Sequence, residues 1–263
     1  MAQVFAEPGA IYKTDDGRTF IRVEGDDFHH LVRVLRLRVG EEFSVRLRDD
    51  TSSEYRFGVA DIAGNLLTGE LRFVKGDAQE LPCRIWLFQG LPKADKLELV
   101  IQKAVELGAY SIVPVDMKRS VAHIDPAKAG RKRERWMSIA ASAAEQARRA
   151  IEPVVFSPVS FQEAMDMLDR EGIGIRLLPY ELEAASSFDE TRRTLESIRD
   201  EVIKGSGGSQ IAVFIGPEGG FDTSEIERAR EAGCRMLSMG PRILRTETAG
   251  LVMLSWLSLM LQE

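Results

Sequence analysis

The stretch Ile211-Ala212-Val213-Phe214-Ile215-Gly216-Pro217-Glu218-Gly219-Gly220 decides how this chain is read. Its first five residues are apolar without alternation and mostly β-branched or aromatic. That run reads as a strand. The segment that follows breaks the strand abruptly. Glycines let backbone N–H and C=O groups approach a ligand closely, and proline stiffens the loop before anything binds. Two further strand ends carry comparable loops. Leu178-Pro179-Tyr180 follows a strand expected at 174–178. Ser238-Met239-Gly240-Pro241-Arg242-Ile243-Leu244-Arg245-Thr246-Glu247-Thr248 grows out of one expected at 236–239. In an open α/β sheet ligands bind at the carboxyl ends of strands, so three such loops point to one site. Thr246 and Thr248 are candidates to cap the helix that follows and also to donate hydroxyls.

Working outward, strands are expected at 84–89, 111–115, 154–157, 174–178, 211–215 and 236–239. Helices at 93–107, 126–150, 161–170, 188–204, 223–232 and 245–261 alternate with them, which predicts an α/β layer with a mainly parallel sheet. Residues 1–76 read differently. Short runs at 19–23, 42–47, 55–60 and 66–74, parted by turn signals and one helix at 27–35, suggest a small barrel. Residues 75–82 read as a polar linker and 205–209 as a flexible glycine/serine loop.

With 263 residues, 44% hydrophobic and 29% charged, the chain is one large globular domain or two modest ones. Cys83 and Cys234 lie far apart with no CxxC or His pairing, so neither a disulfide scaffold nor a zinc site is expected. His29, His30 and His123 are not spaced as metal ligands. The longest apolar stretch, 249–261, is broken by Ser255 and Ser258 and falls short of the about 20 residues of a membrane span. No signal peptide is legible in the first residues, and the expected location is cytoplasmic. There is no P-loop, no G-x-G-x-x-G after a strand and no G-x-S-x-G. The formal net charge of −6 hides a strong asymmetry: residues 118–149 hold nine Lys or Arg against three Asp or Glu, a local +6. A smaller basic run comprises Arg33, Arg36, Arg38, Arg46 and Arg48. These are solvated faces or patches for a phosphate backbone.

At this point the residues resemble the RsmE family of SPOUT RNA methyltransferases. The resemblance covers nearly the whole chain. It runs through Phe28-His29-His30-Leu31, Val34-Leu35-Arg36, Gly40-Glu41, Lys93, Gln102-Lys103-Ala104-Val105-Glu106-Leu107-Gly108, Pro114, Arg119-Ser120-Val121, Glu145-Gln146 with Arg149, and Pro153. It ends on the two loops 215–220 and 240–249, which are the most specific. It implies a PUA-like β-barrel at 1–76 followed by a SPOUT α/β domain at 77–263 whose C-terminus threads a trefoil knot. It implies S-adenosylmethionine as cofactor, a homodimer, no metal, and methylation of N3 of a uridine in 16S ribosomal RNA within the small ribosomal subunit. Two positions depart from the family pattern. Arg148 stands where the family often has glycine, and Arg48-Asp49-Asp50 stands where it often has a Phe-Asp-Gly-like turn.

The roles implied are these. Leu178, Pro179, Gly216, Pro217, Glu218, Gly220, Ser238, Met239, Gly240, Leu244, Thr246 and Thr248 form the cofactor cradle. Arg245 is the cation that stabilises a uridine anion, with the alternative of a structural bond to Glu247 or a helix end. Glu218 and Glu247 are the candidate proton acceptors, with holding the ribose hydroxyls or capping a helix as the alternatives for either. Arg33, Arg36, Arg38, Arg119, Arg133, Glu145, Gln146 and Arg149 are the candidate RNA contacts, with an i,i+4 pair between Glu145 and Arg149 as the alternative for those two. The apolar stripe at 251–259 is core or dimer surface. Intact loops favour an enzyme over a non-catalytic ribosome-assembly factor; a SPOUT enzyme for another RNA or base is the other alternative.

Overall fold

The computed structural model describes residues 1–76, 80–180, 188–205 and 209–262. Residues 77–79 of the expected linker and 206–208 of the glycine/serine loop lie outside them. Two units separate: Met1–Glu80 with Ala144–Glu152, and Leu81–Ala143 with Pro153–Glu263.

The first unit holds strands β1 (Gln3–Ala6), β2 (Ile11–Lys13), β3 (Thr19–Val23), β4 (Glu42–Leu47), β5 (Asp50–Ala63) and β6 (Leu66–Gly76) in the order β1-β4-β5-β6-β3-β2. All pairings are antiparallel except β1 on β4. No pairing joins β1 to β2 among the described residues, so the sheet curls without closing. Alternation puts Ile21, Phe43, Val45, Phe57 and Leu67 inside. Phe43 and Phe57 are direct cross-strand partners whose rings stack 6.0 Å apart, a pairing that adds to their burial. The expected helix at 27–35 is a short α1 (Gly25–Phe28) that widens into a π-helical turn over His29–Val34, closed by the Leu35 N–H on the His30 carbonyl at 2.9 Å. Leu31 of this turn is fully buried, while Arg33 and Arg36 face solvent.

The second unit has seven parallel strands: β7 (Arg84–Gly90), β8 (Ala109–Asp116), β9 (Val154–Val155), β10 (Val159–Ser160), β11 (Ile175–Pro179), β12 (Gln210–Ile215) and β13 (Arg235–Leu237). Their order is β10-β8-β7-β12-β11-β13, with β9 also on β8. The helices are α2 (Lys96–Glu106), α3 (Pro126–Gln146), α4 (Phe161–Arg170), α5 (Phe188–Lys204), α6 (Thr223–Glu231) and α7 (Thr246–Leu261). Ile211 to Ile215 are all buried, as the unbroken apolar run requires, and Phe214 stacks on Phe88 of β7 with centroids 4.4 Å apart. Capping boxes start two helices: Ser160 with Glu163 for α4, and Asp222 with Glu225 for α6.

Helix α3 stops four residues before the expected 150. Arg148 adopts the left-handed conformation (φ 56°), and the Arg149 N–H reaches back to the Ala144 carbonyl at 2.9 Å, a Schellman-type ending. That conformation favours glycine, which accounts for the glycine often found there in the family pattern. Arg149 therefore lies off the helix, and the i,i+4 pair with Glu145 does not form.

Candidate active site

The strand order sets β12, β11 and β13 side by side, so their three carboxyl ends open into one place. A cleft of about 580 Å³ forms there, within the range typical of small-molecule sites. Its walls are residues 215–221 after β12, Pro179 and Tyr180 after β11, and Met239, Gly240 and residues 242–246 after β13, joined by Lys96, Arg119 and Ala249. Gly240 sits at φ 93°, a conformation other residues adopt only under strain. Gly90, at the end of β7, is glycine for a different reason: a Cβ there would lie 2.5 Å from the Pro217 nitrogen and 2.7 Å from its Cδ.

The N-terminus of α7 faces the cleft. Its N-cap residue is Arg245, in extended geometry and without a side-chain cap. The expectation that Thr246 or Thr248 caps this helix is thus corrected. Thr246 lies inside the helix and its hydroxyl donates instead to the Gly216 carbonyl at 2.6 Å. Thr248 is exposed and outside the cleft lining. The uncapped first-turn N–H groups favour an anionic ligand group.

The charged rim is organised by a residue that sequence reading missed. Lys96 Nζ lies 3.3 Å from Glu218 Oε1 and 3.3 Å from Glu247 Oε2, so one ammonium ties both candidate acceptors. Burial works to raise the Glu218 carboxyl, but the Lys93 N–H (3.1 Å) and Lys96 prevail and hold it below the usual range. Hydrogen bonding to Glu247, against desolvation and with help from Glu218, raises Lys96 further, so it stays an ammonium. The guanidinium of Arg245 is exposed at the rim and without a partner among the described residues. It does not bond Glu247, one alternative that the sequence left open.

The cleft gathers Pro179, Gly216, Pro217, Glu218, Gly220, Met239, Gly240, Leu244, Thr246 and Arg245 from the expected set. Leu178 is fully buried in the core behind it, and Ser238 is engaged with Thr191, whose hydroxyl donates to the Ser238 carbonyl at 2.9 Å. Arg119, expected on RNA, lines the cleft beside Gly219 and Asp222. Arg133 donates to the Val155 carbonyl at 3.0 Å.

In the first unit Arg33, Arg36, Arg38 and Gln146 are exposed. Arg149 is not: its side chain is 7% exposed and its guanidinium is held by Glu80 at 2.7 Å. Glu145 is half-buried, and its carboxyl is pushed up to about 7 by burial, then by Asp27 and Glu152, against the pull of Arg48. Among the described residues no three His, Cys, Asp or Glu come together as a metal site would need, and no helix is long and apolar enough to cross a membrane.

Comparison with known proteins gives these likenesses. The family described as RNA methyltransferase domain matches residues 79–258, and that described as RNA methyltransferase PUA domain matches residues 23–72. The Ribosomal RNA small subunit methyltransferase E of Bacillus subtilis (strain 168) is 34% identical over 238 residues, which are 90% of this chain and 88% of that protein. A Ribosomal RNA small subunit methyltransferase E from Neisseria gonorrhoeae, bound to S-adenosyl methionine, superposes with TM-score 0.78 at 25% identity over 97% of this chain and 95% of that one. A methyltransferase structure from Legionella pneumophila, in complex with the bound cofactor SAM, superposes with TM-score 0.79 at 28% identity over 98% of this chain and 97% of that one.

Proposed function

Because the chain belongs to the ribosomal RNA small subunit methyltransferase E family, we propose that it methylates N3 of one uridine in 16S ribosomal RNA. It is an S-adenosylmethionine-dependent methyltransferase of small-subunit ribosomal RNA. The observation that carries the finer reading, uridine N3, is the unpartnered Arg245 guanidinium on the rim of the cleft.

The cleft suits this cofactor. Ile215, Phe221, Met239 and Leu244 offer an apolar wall for a purine, the loop backbone offers hydrogen bonds, and the open α7 N-terminus suits a carboxylate. S-adenosylmethionine supplies an electrophilic methyl group. Residues 216–221 and 239–246 hold and orient it. Uridine N3 is an imide nitrogen between two carbonyls and becomes nucleophilic only as its proton leaves. Arg245 stabilises the resulting anion, charge against charge. Glu218, which lines the cleft, and Glu247, which shares its Lys96 ammonium but lies outside the lining, are the two candidate proton acceptors. Lys96 keeps both carboxylates in place.

The remaining parts of the reading concern assembly. The first unit holds ribosomal RNA of the small subunit in the cytoplasm, through Arg33, Arg36, Arg38 and Gln146. The chain runs from β13 to α7, which packs on α2, β7 and β12; this path supports a threaded trefoil knot. Leu259 on α7 is 76% exposed and Leu99 on the adjoining α2 is 47% exposed, an apolar face suited to a second copy of the chain. Light scattering should give the mass of a dimer; a monomer at all concentrations would sink that part.

A methyl on N3 blocks base pairing, so reverse transcriptase halts at the product. Small subunits lacking the modification, incubated with the protein and cofactor, should show one new stop at a uridine. Cofactor binding without a new stop would overturn the assignment. Arg245→Ala should lower methyl transfer by about 100- to 1,000-fold, as for loss of one charge-stabilising donor, with cofactor affinity nearly kept. Unchanged turnover removes Arg245 from the mechanism.

A further inference from the structure

Gln89 is the penultimate residue of β7 and is fully buried. Its Oε1 faces the Cα of Gly250: a Cβ added there would stand 3.2 Å from Gln89 Oε1 and 3.6 Å from side-chain carbons of Ile215 and Leu87. A leucine or methionine would fill this space without the cost of burying an amide. The amide nitrogen has two defined partners. Nε2 donates to Thr246 Oγ1 at 2.8 Å and to the Gly90 carbonyl at 3.1 Å. Thr246, itself buried, passes its only hydroxyl proton to the Gly216 carbonyl at 2.6 Å. Oε1 has no hydrogen-bond partner among the described residues. Turning the amide over would set two acceptors, Gln89 Oε1 and Gly216 O, against one hydroxyl proton, so the direction of the chain is fixed.

Three segments far apart in sequence are thereby linked in one line: amide to hydroxyl to carbonyl. Gly216 and Thr246 line the cleft, on the loop after β12 and on the first turn of α7. Gln89 does not touch the cleft. We propose that Gln89 is a positioning residue for S-adenosylmethionine: acting through Thr246, it sets the spacing of the Gly216 carbonyl from the α7 N-terminus and so the width of the cofactor cradle. The inference rests on the assignment of this cleft to the cofactor. A buried amide with one atom left unsatisfied carries a cost, and here its other end fixes two walls at once.

Gln89→Met preserves volume and removes both donors. Calorimetric titration of S-adenosylmethionine should show a Kd raised about tenfold, and the KM for the cofactor should rise alike while kcat moves less than twofold. In the cofactor-free protein, amide exchange across residues 216–221 should quicken. Thr246→Val should weaken binding to a similar degree and Thr246→Ser should not. The double variant Gln89→Met with Thr246→Val should bind no worse than Thr246→Val alone, because both break one chain. Additive losses, or wild-type affinity and exchange in Gln89→Met, would overturn the inference. If Gln89→Met does not fold, the two threonine variants decide: equal affinities for serine and valine overturn it. Wild-type protein that binds no cofactor would instead overturn the assignment of the cleft, and the inference with it.

Discussion

Gly90→Ala is expected to weaken S-adenosylmethionine binding by about a hundredfold, because the new methyl must displace backbone rather than a movable side chain, an overpacking cost of roughly 1–3 kcal/mol. The three atoms it meets are the Pro217 nitrogen at 2.5 Å, the Pro217 Cδ at 2.7 Å and the Gly216 carbonyl carbon at 2.9 Å. None of these can rotate away. Relief comes only by moving the loop after β12 off the end of β7, which opens the cradle on the side that Gly216 and Pro217 build. Binding titration checks the result, with Gly130→Ala as control. Gly130 is exposed on α3 and an added Cβ there meets nothing within 4 Å, so that change should leave binding alone and raise stability by about 0.5–1 kcal/mol. Gly90→Ala with wild-type affinity would show that the loop yields freely and is not a formed cradle.

Glu80→Ala should cost the first unit about 2 kcal/mol, since it removes the carboxylate that accepts from a buried guanidinium and from two backbone N–H groups. The Glu80 carboxylate accepts from Arg149 Nε at 2.9 and 3.0 Å, from Arg149 Nη2 at 2.7 Å, and from the N–H groups of Ala150 and Ile151 at 2.7 and 3.3 Å. One side chain therefore serves a charge and two backbone donors in the turn after α3. Glu80→Gln keeps an acceptor for the backbone and should cost less. Denaturant unfolding followed on the full chain measures both. A loss below about 1 kcal/mol for Glu80→Ala would mean that Arg149 finds another acceptor or water. The same geometry moves Arg149 from the RNA surface, where sequence reading put it, into the framework that holds the turn.

Local chemistry was legible in the sequence wherever it was local. Strands β3 and β4 and helices α4 and α5 fall at the expected residues, because alternation, capping pairs and turn residues act over a few positions. The glycine loops announced the cleft for the same reason. What escaped depends on distance along the chain. Strand β1 takes its order from parallel pairing with β4, about forty residues on, and its four residues carry no pattern of their own. Lys96 meets Glu218 and Glu247 across 122 and 151 residues. The end of α3 turned on Arg148, a residue type that gives no sign of a left-handed backbone. Thr246 lines the cleft and donates its hydroxyl as expected, but to the Gly216 carbonyl across 30 residues and not as a helix cap.

The turn that closes the first unit also sets an order of events during synthesis. Gln3 Nε2 donates to the Arg149 carbonyl at 2.8 Å, and Arg48 pairs with Glu152 at 2.8 Å. A ribosome adding about 5–20 residues each second must extend the chain by roughly 150 residues between making Gln3 and making its partner. For that interval, on the order of ten seconds, β1 has its ladder to β4 but not its last support. Meanwhile β7, α2 and β8 of the second unit have already emerged. The nascent chain therefore cannot finish its first unit before beginning its second, and a fragment ending at Glu80 would lack the nine residues that complete it.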